Sequence, residues 1–335
     1  MEGCSLRDDL TARQLRAWSF CALSVPAAMV LPGRGWLWSL GGSLAACGLA
    51  AAQQALQRRS GLGMRAAFAC AFGQRAGRLL AAGELVWLLL AAAGAAGACQ
   101  IAFEDDLGAL APAVPFLLAS LACGKGRVAA GRVCGVLALC LAGLYAMIAA
   151  ASLRHIQPAW CRPAGIPADA ALALGMCLAP VCVSFVLEDG EAPRVSVGSC
   201  AAAALLPALP AFLTAACLSP ALANTQRVPL LTLTKSLSVL SVMQRFELLL
   251  SVALMLGLFA LLTACGCAAM HLAQAPGTDG GRKPAAGGFW LLAFAGSFLA
   301  GGIPMWFWTV GAAIFWGILP ILTQVIVNIK NSKKR

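Results

Sequence analysis

The sequence predicts an all-α membrane protein of about ten transmembrane helices. Three observations carry that reading: a succession of long apolar stretches, a scarcity of charge, and a proline near the middle of both the first and the sixth stretch, Pro26 and Pro180. Hydrophobic residues make up 61% of the chain and charged ones 11%, with mean hydropathy +0.84, so a soluble domain of this size would have almost no polar surface to offer water. A helix needs roughly 20 apolar residues to cross about 30 Å of hydrocarbon. The stretches that reach or approach that length are Arg16 to Leu31, Trp36 to Ala52, Leu79 to Ala102, Leu107 to Cys123, Val133 to Ala151, Pro167 to Leu187, Ser196 to Leu218, Leu248 to His271, Gly288 to Ala300 and Ile303 to Val327. The ninth is the shortest. No segment between them is long enough for a second domain, so residues 1–335 read as one membrane domain.

Charge sets the orientation, because Lys and Arg accumulate in cytoplasmic loops. An even number of spans with the N-terminus inside puts both termini in the cytoplasm and most of the 24 basic residues with them; the exceptions are Arg34, Arg154, Arg162, Arg227, Lys235 and Arg245. The loop Glu104, Asp105, Asp106 has no basic residue and suits the outside. The net charge of +11 therefore reads as topology and contact with anionic membrane lipid, and nucleic acid is not an expected partner. The basic start followed by an apolar run reads as an uncleaved first helix.

The connections add detail. Between Gln53 and Arg78, Met64, Phe68, Phe72 and Leu79 fall roughly on one helical face with Arg65, Arg75 and Arg78 off it. This is the pattern either of a helix lying at the membrane surface or of a solvated basic loop. From Val195 to Leu240 a small-residue helix gives way to a Ser/Thr-rich outer loop with room for a short helix. Gly and Ala are frequent within the spans, as expected where helices pack closely in lipid. The segment PGTDGGRKPAAGG marks the last cytoplasmic turn.

Candidate functional residues follow from what is costly in a bilayer. Proline removes a backbone donor, and groups freed that way are tolerated only where protein or a water-lined cavity satisfies them. Interrupted spans at matching places in two halves point to a ligand site. The first interruption offers Ser24, Pro26 and Ala27, and the sixth offers Cys177, Leu178, Pro180 and Val181. Free amides there would hold a carboxylate and free carbonyls an ammonium group, which together suit an amino acid. Prolines 112, 115, 207 and 210 in the fourth and seventh stretches read as kinks. Among the acidic residues, Glu84 in LLAAGELVWLLL lies well inside a span, where it serves ion or proton coupling or else pairs with Arg78 or caps a broken helix. Glu247 follows Arg245 at a span edge and reads as interfacial pairing. Most of the 15 cysteines lie in apolar runs and read as small packing residues. No CxxC pair, partnered histidine or Gly-rich phosphate loop is present, so neither a metal, a cofactor nor an enzyme activity is expected.

Three stretches resemble the spore germination permeases, the integral B subunits of nutrient germinant receptors. The opening, LTARQLRAWSFCALSVPAAMVLPGRGWLWSLGGSL, has Gln14 and Leu15 before the first span and Gly35, Trp36 and Leu37 at the start of the second. The stretch VPLLTLTKSLSVLSVMQRFELLLSVALMLGLFALLTACGCAAMHLA has the family's proline, its short Lys-Ser segment and an Arg-plus-acid pair opening the eighth helix. Trp316, Gly317, Ile318, Leu319 and Pro320 followed by NIKNSKKR are similar to its last helix. The sixth span departs, with Leu178, Ala179, Pro180 and Val181 where many members place aromatic and acidic residues. Through the family's likeness to amino acid/polyamine/organocation permeases, the resemblance implies two inverted five-helix repeats, about 12–151 and about 167–328, with helices 1 and 6 broken. It also implies a spore inner-membrane location, a small nutrient as ligand, and A-type and C-type (lipoprotein) receptor subunits as partners. A proton-coupled amino acid transporter of the cell membrane is the alternative.

Overall fold

In a computed structural model, residues 10–29, 35–103, 112–161, 166–191, 197–226, 228–237, 246–273 and 282–333 are described. The acidic loop Glu104 to Asp106, residues 238–240, the turn around 274–281, and Arg34, Arg162, Arg194, Arg227 and Arg245 lie outside them. The described residues are helical and contain no strand. In chain order they form α1 (Ala12–Met29), α2 (Trp36–Ser60), α3 (Met64–Phe72), α4 (Gln74–Phe103), α5 (Ala113–Gly124), α6 (Arg127–Ser152) and α7 (Pro167–Cys177). A 3₁₀ segment (Ala179–Val186) follows, then α8 (Val197–Leu218), α9 (Pro220–Thr225), α10 (Pro229–Ser236), α11 (Phe246–Ala273), α12 (Arg282–Ala300), α13 (Met305–Ala312), a π-helical turn (Ala313–Ile318) and α14 (Leu319–Ser332).

The apolar stretches read from the sequence are helical over most of their described residues. Among the described residues five segments are long and apolar enough to cross a membrane: Gln74–Phe103, Arg127–His155, Pro167–Val186, Glu247–Ala273 and Met305–Ser332. Large apolar side chains stand exposed on the outer faces of α5 (Leu117, Leu121), α6 (Val136, Leu139) and α12 (Leu291, Leu299), a surface suited to lipid. The protein is a membrane protein.

Two helices make the centre. α1 is buried from Cys21 to Met29 and α11 from Leu258 to Ala269 on nearly every side, as expected of helices without a polar face. They meet through the Trp18 indole, whose Nε1 donates to the Ala260 carbonyl at 3.0 Å, and through Gly257, against which the Ser24 hydroxyl rests. The interruption expected in the first span is absent as a break: α1 stays helical through Pro26 to Met29. Polar groups gather at that turn. The Ser24 hydroxyl donates to the Cys21 carbonyl at 2.6 Å and the Tyr145 hydroxyl of α6 to the Ser24 carbonyl at 3.0 Å, so the turn before the proline is bonded by side chains of two helices.

The sixth span is interrupted. α7 ends at Cys177 and the chain tightens into the 3₁₀ segment around Pro180. α2 supports it with a buried polar stripe, Ser39, Ser43, Gln53 and Gln57. The Ser43 hydroxyl lies 3.3 Å from the Cys177 sulfur, and Gln53 Nε2 donates to the Ser184 hydroxyl at 2.8 Å.

The basic segments converge at one end. Arg127 pairs with Glu188 (3.1 Å) and with Glu191, which also accepts from the Leu10 amide. Gly63 N–H donates to Asp189 at 2.6 Å, and Lys330 donates to the carbonyls of Cys70 and Ala71 at the end of α3. α3 is thus the short helix expected from Met64, Phe68 and Phe72, and it packs on α4 and α14. Leu79 does not join that face; it lies on α4 and is 75% exposed. The Ser/Thr-rich region contains α9 and α10, and Leu230, Leu233 and Thr234 of α10 are buried.

Cysteines 21, 99, 134, 177, 182 and 265 are buried and free, filling small gaps as expected. Close approach elsewhere depends on glycine: at Gly94 an added Cβ would fall 2.6 Å from the Trp308 ring, and at Gly311 it would overlap the Trp87 ring. Gly311→Leu should therefore cost about 1–3 kcal/mol of overpacking and lower the thermal midpoint of the detergent-purified chain. An unchanged midpoint would show that α4 and α13 stand further apart.

Candidate functional site

One face of α4 organises the interior. Ala81, Glu84, Trp87, Ala91, Gly94 and Ala98 recur every three or four residues, so they align along one side of the helix. Towards the end away from the basic segments, this face walls a cleft of about 180 Å³. Val25, Pro26 and Met29 of α1 form a second wall, and Gly175, Met176 and Ala179 at the sixth-span break form a third. Ile303, Met305, Trp308 and Trp316 close it from the last span. No charged residue lines it among the described residues.

The inner end of the cleft is aromatic. Trp87 stacks on Phe315 with centroids 5.5 Å apart and an interplanar angle of 11°, and meets Trp316 edge-on at 5.7 Å and Trp308 at 6.1 Å. Phe315 and Trp316 belong to the π-helical turn, an irregularity that recurs at functional sites. One turn inward of Trp87 lies Glu84, fully buried, with Trp316, Cys265 and Cys182 beside it. The Trp316 indole N–H approaches Glu84, but among the described residues neither Glu84 oxygen completes a hydrogen bond of good geometry, and the Trp87 indole nitrogen has no partner either. Glu84 is not paired with Arg78. A carboxyl left so at membrane depth is costly, which marks the position as functional.

Beyond Glu84 the same helix borders a second, larger cavity. This vestibule of about 900 Å³ at the basic end is lined by Arg65 of α3, by Gln74, Arg78, Ala81 and Leu85 of α4, and by Glu188, Asp189 and His271. Leu85 faces the vestibule and Trp87 the cleft, so the two cavities approach within one helical turn. Glu84, Trp87 and Trp316 form the septum between them.

Of the residues expected at the interruptions, Pro26 lines the cleft, as does Ala179 between Leu178 and Pro180. The others point elsewhere. Ser24 rests on Gly257 of α11, Cys177 on Ser43 of α2, and Leu178 faces Gly317; Ala27 and Val181 are buried outside the cleft lining, and Pro180 is half-buried. Two of the amides expected to be free at the break are used. Leu178 N–H donates to the Gly175 carbonyl at 3.3 Å and Val181 N–H to the Leu178 carbonyl at 2.8 Å. Sequence reasoning missed the three tryptophans and the charged vestibule. The run of period three to four from Glu84 to Ala98 signalled Trp87 alone of the three. Among the described residues no group of three His, Cys, Asp or Glu is placed to hold a metal ion.

Residues 166–274 match the spore germination protein family. The match is about a third of the chain; it takes in α7, the sixth-span break and α8 to α11, and includes the stretch from Val228 to Ala273 on which the resemblance chiefly rested. The resemblance read from the sequence is borne out there; the opening stretch and the closing Trp316 to Pro320 lie outside it. No curated protein matches the chain.

If the septum separates the cavities, Trp87→Ala should both destabilise the protein, by about 3–5 kcal/mol for loss of a large buried ring, and raise passive cation leak through proteoliposomes holding the full chain. Leak equal to that of the unaltered protein would assign the barrier to other residues.

Proposed function

We propose that the chain is a permease-like subunit of a nutrient germinant receptor, which binds a small nutrient of amino-acid size in the tryptophan-lined cleft. The observation that carries this is the place of the cleft. It lies between α1 at Pro26 and the interrupted sixth span at Ala179, and that interruption falls within the residues matched to the spore germination protein family. A site framed by an interrupted span at mid-membrane is where permease-like folds hold their solutes. In this reading ten helices form two inverted halves, about 12–151 and 167–328, in the spore inner membrane, with both termini and the basic end cytoplasmic. The chain performs no chemistry on its ligand. Occupancy of the cleft shifts the bundle between two states, and A-type and lipoprotein C-type subunits convert that shift into ion release.

A second reading, proton-coupled uptake of an amino acid, is favoured by one observation: Glu84 lies in the septum between a cleft and a vestibule that face opposite ends of the bundle.

The deciding experiment replaces the gene by Ala95→Phe, which fills the cleft wall, and scores dipicolinic acid release against a panel of nutrients. The germination reading expects the response to one nutrient class to be lost with the chain at normal abundance. A dose response identical to that of the unaltered strain, together with labelled-solute uptake abolished by Glu84→Gln, would replace it with the transporter.

A further inference from the structure

The cleft supplies partners for some chemical groups and withholds them from others. Indole faces attract cations and repel anions, because their π clouds are negative. Three such rings, Trp87, Trp308 and Trp316, surround its inner end. Directly beyond them Glu84 is 0% exposed, and among the described residues neither of its oxygens completes a hydrogen bond of good geometry. A buried carboxylate without a counter-charge is strongly unfavourable, whereas one that meets an ammonium group is compensated. A ligand's own carboxylate finds no such welcome. The described lining holds no Lys, Arg or His, and the Leu178 and Val181 amides at the break already donate to backbone carbonyls.

We infer that the cleft takes a compact apolar solute bearing one ammonium group and no carboxylate, in short a small hydrophobic amine. This rests on the reading of the cleft as the nutrient site and narrows it. The apolar body lies against Met29, Ala95, Ala98 and Leu261, and the ammonium lies at the inner end over Trp87 and Trp316, with Glu84 behind those rings and outside the lining of the cleft. The volume of about 180 Å³ is below the roughly 300–1,000 Å³ of sites for drug-sized ligands, which fits a solute of this size.

A matched series tests the head group while holding the body constant: 3-methylbutan-1-amine, leucine and 3-methylbutan-1-ol, titrated calorimetrically into the full chain in lipid nanodiscs. The amine is expected to bind at least about tenfold more tightly than either relative, a factor in keeping with a cation on desolvated tryptophan. Glu84→Gln, which removes the charge behind the rings, should weaken binding of the amine severalfold and leave the alcohol unchanged. The comparison on the unaltered chain needs no variant, so misfolding of Glu84→Gln would not leave the question open. Leucine binding as tightly as the amine would overturn the ammonium assignment and leave the cleft as nutrient site. No binding by any of the three, or amine binding untouched by Ala95→Phe, would overturn the assignment and the cleft reading with it.

Discussion

A chain that leaves α-helical geometry inside a hydrocarbon slab has no water to bond, and the rest of this structure is arranged around that constraint. The segment from Leu178 to Val186 leaves it. Part of the solution is internal, since the 3₁₀ turns bond Val181 to Leu178 and Leu187 to Ser184, and the Ser184 hydroxyl returns to the Val181 carbonyl at 2.6 Å. The remainder comes from α2, whose Gln53 donates to Ser184 and whose Ser43 meets Cys177. A helix that buries such a polar stripe must lie inside the bundle, and α2 duly contacts α7, α8 and α14. The buried apolar parts of α1 and α11 then fill the space on the other side of the 3₁₀ segment.

The two ends of the interrupted span are fixed by charge in different ways. At the start of α7, Asp169 accepts the amides of Ile166 at 3.0 Å and of Gly35 at 3.2 Å, so one carboxylate serves the first turns of both α7 and α2, where helix dipoles favour negative charge. At the other end, Arg127 holds Glu188 and Glu191, and Gly190 N–H donates to the Gly61 carbonyl at 2.9 Å. The span is therefore anchored at both extremities and irregular between them. Its middle borders the cleft, so the least regular part of the span is also the part that lines the cavity.

Much of this was legible in the sequence, for a simple reason. Hydropathy reports burial in lipid directly, and a carboxyl within LLAAGELVWLLL is rare enough to stand out, so the helices and Glu84 could be found. Direction around a helix was harder. At about 100° per residue, moving one position from Pro26 to Ala27, or two to Ser24, turns a side chain from the cleft to another helix. Proline alone could not separate a break from a helix that continues. α1 continues through Pro26, where the hydroxyls of Ser24 and Tyr145 bond neighbouring carbonyls, whereas around Pro180 the chain tightens. Tyr145 is more than a hundred residues from Pro26, and no local pattern announces it. The tryptophans were hidden for a related reason: Trp87, Trp308 and Trp316 lie in runs that are apolar throughout, and their convergence depends on the π turn and on glycines opposite them.

The septum explains how small a change would connect the two cavities. Trp87 is fixed to α4, a continuous helix of 30 residues, and Gly311 admits its ring against α13. Trp316 is fixed to a π-helical turn, in which the spacing of backbone hydrogen bonds differs from that of the α-helices on either side. Converting such a turn to α-geometry shifts the register of one helix past its neighbours without unfolding it. Of the two rings over Glu84, Trp316 is therefore the one carried by irregular backbone. The 900 Å³ vestibule on the far side already reaches Ala81 and Leu85, so displacement of this one indole would bring Glu84 into contact with both cavities.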